Sequence, residues 1–218
     1  MDCLVWVSMT ANLTEELPQF KTSTRIVIIL WFVFEIVVLE IIVFLPTLGV
    51  MPSKNTRILV THEFPAVYDR ESRVLLLGSI PSPKSREVGF YYGHPQNRFW
   101  KVLAEVLGEA VPESIPQKKA MLKKHHVALW DVLESCTIVG ASDTSIEDAV
   151  PNRIGELVRK SKVSRIFCTG ATAHKLYQKY CAKEVGMDAE RLPSTSPANC
   201  AVSFEKLVEA YNVIVQKF

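Results

Sequence analysis

Residues 78–100 read GSIPSPKSREVGFYYGHPQNRFW and lie between an apolar run and a helical pattern. The apolar run, RVLLLG at residues 73–78, is short and ends in glycine, which is typical of a buried parallel strand. After the stretch, apolar side chains recur at helical spacing, at Phe99, Trp100, Leu103, Val106 and Leu107. In open α/β sheets ligands bind at the carboxyl ends of strands, so a long polar and aromatic loop at this junction predicts an active site.

From residue 57 onward, short apolar runs alternate with amphipathic segments. Strands are predicted at residues 73–78, 127–133, 165–170 and 189–194, and helices at residues 97–108, 117–125, 151–161, 171–185 and 203–218. This alternation predicts an α/β fold in which a mainly parallel four-stranded sheet forms the middle of a three-layer α-β-α sandwich. The loops GSIPSPKS, ESCTIVGASD, TGATA and PSTSPAN follow the strands and should open on one edge as a single groove.

The first fifty residues differ from the rest of the chain. Residues 26–45, IVIILWFVFEIVVLEIIVFL, are apolar except for Glu35 and Glu40, and their length predicts a helix that spans a membrane. Two other interpretations stay open: an element packed on the domain, or sequence upstream of a true start near Met51. The chain thus divides into an extension, residues 1–57, and a domain, residues 58–218.

Composition narrows the function classes. The chain of 218 residues is 48% hydrophobic, enough for one well-buried domain. Residues 1–50 hold 2 basic and 5 acidic residues of the 25 and 23 in the chain, so residues 51–218 hold 23 and 18, a formal charge of +5 that suits a polyanion partner. Five cysteines without a C-x-x-C pair indicate neither a disulfide framework nor a zinc site. No dinucleotide or P-loop fingerprint occurs.

Three stretches carry a resemblance to a known family: residues 78–100, ALWDVLESCTIVGASDTSI at 128–146, and LPSTSPANCAVSFEKLVEAY at 192–211. Together they resemble the uracil-DNA glycosylase superfamily, most closely its hypoxanthine-DNA glycosylase branch, over about residues 62–215. The resemblance implies a monofunctional glycosylase that hydrolyses the N-glycosidic bond of a deaminated base, most of all hypoxanthine, in base excision repair. It also implies that the protein binds DNA, needs no metal and no cofactor, and acts as a monomer. The catalytic domain is expected to be cytoplasmic, and residues 26–45, if translated, would anchor it to a membrane.

Base excision requires a base turned out of the duplex, stacked on an aromatic ring and read by hydrogen bonds, with one water at the anomeric carbon. Many members of the superfamily carry a polar water-positioning residue two places after the first glycine of the loop, but here Ile80 occupies that place. The resemblance therefore moves the catalytic role to Asn97, which can orient a water or hold a purine edge. The alternative for Asn97 is a helix cap. His94, kept on the loop by Pro95, could donate to the departing base.

The remaining site predictions concern binding. One ring of the aromatic run, Phe90 first and Tyr91 second, would stack on the base. Ser79 would contact phosphate or base, and the PSTSPAN loop would hold the DNA strand in the minor groove through Ser194, Thr195 and Ser196. Asn199 would bind substrate, and would cap or abut the last helix. Asp131 and Asp143 are expected to have structural roles. Asp143 is also an alternative candidate for the catalytic residue, because a carboxylate near the anomeric carbon would stabilise a cation-like sugar.

Two alternatives to a hypoxanthine glycosylase stay open. One is a non-catalytic, membrane-tethered nucleic-acid-binding domain that keeps the fold. The other is a glycosylase specific for uracil or for mismatches. Release of free base from an inosine-containing oligonucleotide separates a catalytic from a non-catalytic protein.

Overall fold

The computed structural model describes residues 57–139 and 145–215. In chain order the elements are β1 (Arg57–Thr61), β2 (Val74–Gly78), α1 (Pro83–Val88), α2 (Phe99–Leu107), α3 (Ile115–Lys124), β3 (Val127–Asp131), β4 (Leu133–Val139), β5 (Glu147–Pro151), α4 (Ile154–Arg159), β6 (Arg165–Thr169), α5 (Ala171–Tyr180), α6 (Ala182–Val185), β7 (Ala189–Leu192) and α7 (Phe204–Tyr211), followed by a 3₁₀ turn at Asn212–Ile214.

Four of the strands form a parallel sheet in the order β3-β2-β6-β7. The central strand β2 is buried along its whole length, which explains why it reads as a continuous apolar run. Its side chains alternate between two cores, with Val74 and Leu76 on one face and Leu75 and Leu77 on the other. The prediction of a parallel four-stranded sheet in an α/β fold is confirmed.

Each face of the parallel sheet has its own apolar layer. On one face, α2, α3 and α7 contribute Phe99, Leu122 and Tyr211 to the core. On the other, α4 and α5 contribute Leu157 and Tyr177. Because the four strands are parallel, their carboxyl ends lie at one edge of the sheet.

A second sheet was not predicted. It is antiparallel, with the order β1-β4-β5, and its apolar side chains join the core on the α4 and α5 side. The expectation that ESCTIVGASD is a loop is wrong for residues 134–139, which lie in β4. Cys136 and Ile138 are buried in the core while Thr137 and Val139 are more exposed, so this part of the strand has period 2 despite its polar composition.

The predicted membrane helix at residues 26–45 and the acid Asp143 lie outside the described residues. Within residues 57–139 and 145–215, none of the helices has the length and apolar character needed to cross a bilayer.

Candidate active site

A cavity of about 1120 Å³ opens at the carboxyl edge of the parallel sheet. Segments that follow β2, β6 and β7 line it, together with the last residue of β3. The main polar and aromatic lining residues are Ser79, Tyr91, Tyr92, Asn97, Asp131, Thr169, Arg191, Ser194, Thr195, Ser196 and Asn199. This volume is more than a drug-sized ligand fills, so it can take a nucleotide with part of its strand.

Asn97 lies on the cavity wall immediately before α2. Its Oδ1 accepts a hydrogen bond from the backbone N–H of Phe99 at 3.0 Å and another from the hydroxyl of Thr195 at 2.9 Å. The first bond satisfies one of the free N–H groups at the start of α2, although Asn97 lies one residue before the N-cap, Arg98, which makes no side-chain capping bond. Because both bonds engage the oxygen, the amide orientation is fixed and the NH₂ group is left as the donor.

The Asn97 loop is joined to the PSTSPAN loop by several hydrogen bonds. The backbone N–H of Arg98 donates to the carbonyl of Thr195 at 3.1 Å. The Arg98 guanidinium donates to the carbonyls of Asn199 at 2.8 Å and Val202 at 2.5 Å. A positioned amide therefore depends on two loops about 100 residues apart in sequence, which Arg98 and Thr195 hold together.

The three hydroxyl residues of PSTSPAN do not share one role. Thr195 is only 1% exposed and bonds to Asn97, so the prediction that it binds phosphate is corrected: its hydroxyl is turned inward. Ser194 and Ser196 lie on the cavity lining and are partly exposed. Their hydroxyls also accept hydrogen bonds from backbone N–H groups within the loop.

Asn199 lines the cavity, and its Nδ2 donates to the carbonyl of Ser194 at 2.8 Å. It does not cap the last helix. That cap is Ser203, whose hydroxyl accepts a hydrogen bond from the backbone N–H of Lys206. The side chain of Asn199 thus closes the loop on itself.

The aromatic run divides between core and cavity. Phe90 is buried and stacks on Trp100 at a centroid distance of 5.9 Å, so it does not line the cavity and the stacking role predicted for it is corrected. Tyr91 and Tyr92 do line it. The Tyr92 ring stacks on Phe99 at 3.8 Å, and its hydroxyl lies 2.8 Å from that of Thr169.

His94 is not brought to the cavity. Its Nδ1 accepts a hydrogen bond from the backbone N–H of Gln96 at 3.1 Å, within the turn that leads to Asn97. Ser79 and Ile80, which follow β2, both lie on the lining. The apolar Ile80 side chain therefore occupies the cavity position where a polar residue was expected from the superfamily.

Sequence reasoning missed a pair of side chains at the end of β3. Nε2 of His62 lies 3.0 Å from Oδ2 of Asp131, with side chains 3% and 7% exposed. His62 directly follows β1, a strand of the antiparallel sheet, whereas Asp131 lines the cavity. A carboxylate only accepts hydrogen bonds, so the ring nitrogen is the donor. A lone histidine 69 positions from its partner leaves no spacing signal in the sequence.

Two further features accompany this carboxylate. A Cβ at position 78 would lie 2.1 Å from Oδ1 of Asp131, so a larger residue there would displace this carboxylate oxygen. Burial, together with the negative charge of Asp131, raises the pKa of Tyr91 and of Tyr92 above the ordinary value, so both phenols stay protonated at neutral pH.

The cavity changes charge between its two ends. The carboxylate of Asp131 lies on a buried strand end, whereas Arg191 in β7 is exposed on the lining. Arg191 makes no ion pair with the residues that the structure describes; its neighbour Glu190 pairs with Arg165. The exposed part of the cavity thus carries a cation suited to a phosphate.

A family model described as the uracil DNA glycosylase superfamily matches residues 65–217. The chain belongs to this superfamily. The match covers β2 to α7 and includes every cavity residue named above, but it begins after His62. The partner of Asp131 therefore comes from the segment that precedes the matched region.

Two proteins named hypoxanthine DNA glycosylase are similar to this chain in sequence. A hypoxanthine DNA glycosylase from Methanosarcina acetivorans is 32% identical over 142 residues, which cover 65% of this chain and 89% of that protein. A hypoxanthine DNA glycosylase from Methanosarcina barkeri is 38% identical over 96 residues, covering 43% of this chain and 60% of that protein. A solution NMR structure of a candidate uracil DNA glycosylase from M. acetivorans has a TM-score of 0.62 at 29% identity, covering 73% of this chain and all of that one.

Proposed function

We propose that this protein is a monofunctional DNA glycosylase that hydrolyses the N-glycosidic bond of hypoxanthine in DNA, as a step of base excision repair. Membership of the superfamily and relatives named hypoxanthine DNA glycosylase support the reaction and the base. The observation that carries the proposal is the Asn97 amide, which two hydrogen bonds fix on the wall of a cavity large enough for a nucleotide.

The proposed chemistry uses the NH₂ group of Asn97. As water adds its oxygen to the anomeric carbon, the bond to the base nitrogen breaks and its electron pair leaves with the base, which then takes up a proton. A fixed donor beside the base stabilises the negative charge that develops there. Because the Asn97 oxygen already accepts two hydrogen bonds, a donor role fits the geometry better than a general base.

The proposed DNA contacts lie around Asn97. Ser194, Ser196 and Arg191 would contact phosphates, while Tyr91 and Tyr92 supply the aromatic surface for the everted base. Phe99 covers one face of Tyr92, so the opposite face is the one left for a base. Ser79 remains a proposed contact from the β2 side of the cavity.

The base preference rests on Ile80 as well as on the relatives. An apolar side chain at this cavity position removes a polar contact for a pyrimidine and leaves hypoxanthine the better substrate. The test is single-turnover release of free base from duplexes that contain one deoxyinosine or one deoxyuridine. We expect faster release of hypoxanthine; equal or faster release of uracil would contradict the preference, and release of neither base would contradict the enzyme.

We further propose that residues 58–218 carry the activity as a monomer, and that residues 26–45, where translated, attach the protein to a membrane. The first part is supported by the family match, which begins at residue 65. The test compares the full chain with a chain that begins at Met51 in the base-release assay, in sedimentation and in membrane fractionation. Loss of activity or of folding in the shorter chain would show that the extension is part of the domain.

A further inference from the structure

Tyr92 lies on the cavity lining in a backbone conformation that tyrosine rarely adopts. Its φ of 51° falls in the left-handed region, which costs free energy for a bulky residue and persists only where surrounding contacts hold it. Two contacts act on the side chain. The ring stacks on Phe99 with 12° between the ring planes, and the hydroxyl lies 2.8 Å from the hydroxyl of Thr169. The proposed function uses the ring but gives no role to the contact between the two hydroxyls.

The hydroxyl of Thr169 decides the direction in which the Tyr92 hydroxyl donates. Oγ1 of Thr169 donates to the carbonyl of Leu77 at 3.2 Å, so its single proton is already in use. The phenol of Tyr92 is therefore the donor to Oγ1 of Thr169. Burial raises the pKa of Tyr92 well above its ordinary value, so this donor stays protonated. Two hydrogen bonds in series thus connect the ring, through β6, to the backbone of β2.

The hydroxyl end of the ring lies over Gly78, the last residue of β2. The Cβ of a larger residue at position 78 would lie 3.3 Å from Oη of Tyr92, so the ring approaches the backbone closely at this point. Phe99 therefore fixes one face of the ring, and Thr169 fixes its end. A ring that is held before DNA binds loses less conformational entropy when a base stacks on its open face.

We propose that Thr169 is a positioning residue whose hydroxyl holds the Tyr92 ring in place for stacking with the everted base. The inference rests on the proposed function, in which Tyr92 supplies part of the aromatic surface for that base. Thr169 lines the cavity, yet its hydroxyl serves the ring and not the DNA. Its effect on the reaction therefore passes through Tyr92.

The experiment is a double-mutant cycle on kcat/KM for hypoxanthine release from a duplex with one deoxyinosine. Thr169→Val keeps the size of the side chain but removes its hydroxyl, and Tyr92→Phe keeps the ring but removes the phenol. We expect each substitution to lower kcat/KM about 3- to 10-fold, which matches the loss of one neutral hydrogen bond. The double variant should be no slower than either single variant, because both substitutions remove the same bond.

A conservative variant and a matched control complete the cycle. Thr169→Ser keeps a hydroxyl at this position and should recover most of the lost kcat/KM. Thr61→Val makes the same change at an exposed residue of β1 that does not line the cavity, and it should leave kcat/KM unchanged. A purely structural role for Thr169 would lower the melting temperature without changing kcat/KM, and that result would overturn the inference.

The outcomes also separate this inference from the proposed function. Losses that add in the double variant would mean that Thr169 contacts the DNA itself, and they would overturn the positioning role. Unchanged kcat/KM in Thr169→Val overturns that role and leaves the proposed function standing, whereas no release of hypoxanthine by the wild-type protein overturns both. Should Thr169→Val fail to fold, Tyr92→Phe decides, and unchanged kcat/KM in that variant would overturn the inference.

Discussion

The cavity surface around Asn97 and the surface around Asp131 are built in opposite ways. Asn97 is held by a second loop, through the Thr195 hydroxyl and the carbonyls that Arg98 binds, and it presents a donor. Asp131 is the last residue of the buried strand β3. Its carboxylate is held by His62, which directly follows β1, and it presents an acceptor. The cavity lining therefore carries hydrogen-bonding groups of opposite kind on two surfaces that are held independently.

The difference also concerns what positions each group. The Asn97 surface depends on loop-to-loop hydrogen bonds, which substitutions can remove one at a time without disturbing the sheet. The Asp131 surface depends on the register of β2 and β3, where Gly78 lies opposite Asp131. Substitutions on the loop side should therefore change the rate with little change in stability.

The largest effect is expected for Asn97→Ala. Loss of a positioned hydrogen-bond donor in an enclosed site typically lowers the rate roughly 100- to 1000-fold. Its capping bond to Phe99 contributes about 1 kcal/mol to the free energy of unfolding. The measurement is the single-turnover rate of hypoxanthine release together with the melting temperature. Gln96→Ala, at an exposed position on the same loop, is the control. A normal rate with only a lower melting temperature in Asn97→Ala would show that Asn97 stabilises the start of α2 and has no catalytic role.

An intermediate effect is expected for Thr195→Val. The substitution keeps the shape of a buried side chain but removes the hydroxyl that fixes the Asn97 amide. Because the bond from Phe99 remains, we expect a fall of about 10-fold in kcat with little change in KM. This fall corresponds to about 1.4 kcal/mol, near the upper end of the range for one neutral hydrogen bond. Thr195→Ser, which keeps the hydroxyl, should recover most of the rate. An increase in KM with constant kcat would instead place Thr195 in DNA binding.

The sequence predicted those parts of the site that are formed by uninterrupted runs of characteristic residues. The fully apolar β2 identified the parallel sheet, and HPQN and PSTSPAN identified the two loops that meet in the cavity. Strand β4 was missed because its alternating polar residues resemble a loop, although its inward side chains are buried.

Individual side chains were harder to place. The run Phe90, Tyr91 and Tyr92 does not tell which ring reaches the cavity, since Tyr92 adopts a left-handed backbone with φ of 51° that changes the direction of the chain. Three adjacent hydroxyl residues likewise gave no sign that Thr195 alone turns inward. His62 could be found only through the pairing of β1 with β4, which brings it beside Asp131.

A smaller effect, on binding rather than on chemistry, is expected for Arg191→Ala. Arg191 is exposed on the lining and has no ion pair with the described residues, so its substitution should leave the fold unchanged. We expect weaker DNA binding for every sequence and a salt dependence of affinity that is shallower by about one phosphate contact. Lys183→Ala, at an exposed cation that does not line the cavity, is the control. An unchanged salt slope in Arg191→Ala would remove Arg191 from the interface.

The smallest effect is expected for His94→Ala, which tests the catalytic role predicted from the loop sequence. His94 does not line the cavity, and its ring accepts a hydrogen bond from the backbone N–H of Gln96. The geometry therefore predicts a rate of hypoxanthine release within about 3-fold of wild type. A 3-fold change corresponds to about 0.6 kcal/mol, near the lower end of the range for one neutral hydrogen bond. His94→Asn, which can keep the bond to Gln96, separates turn stability from chemistry. A fall in rate close to that of Asn97→Ala in both His94 variants would show that closure of the loop around DNA brings His94 to the base.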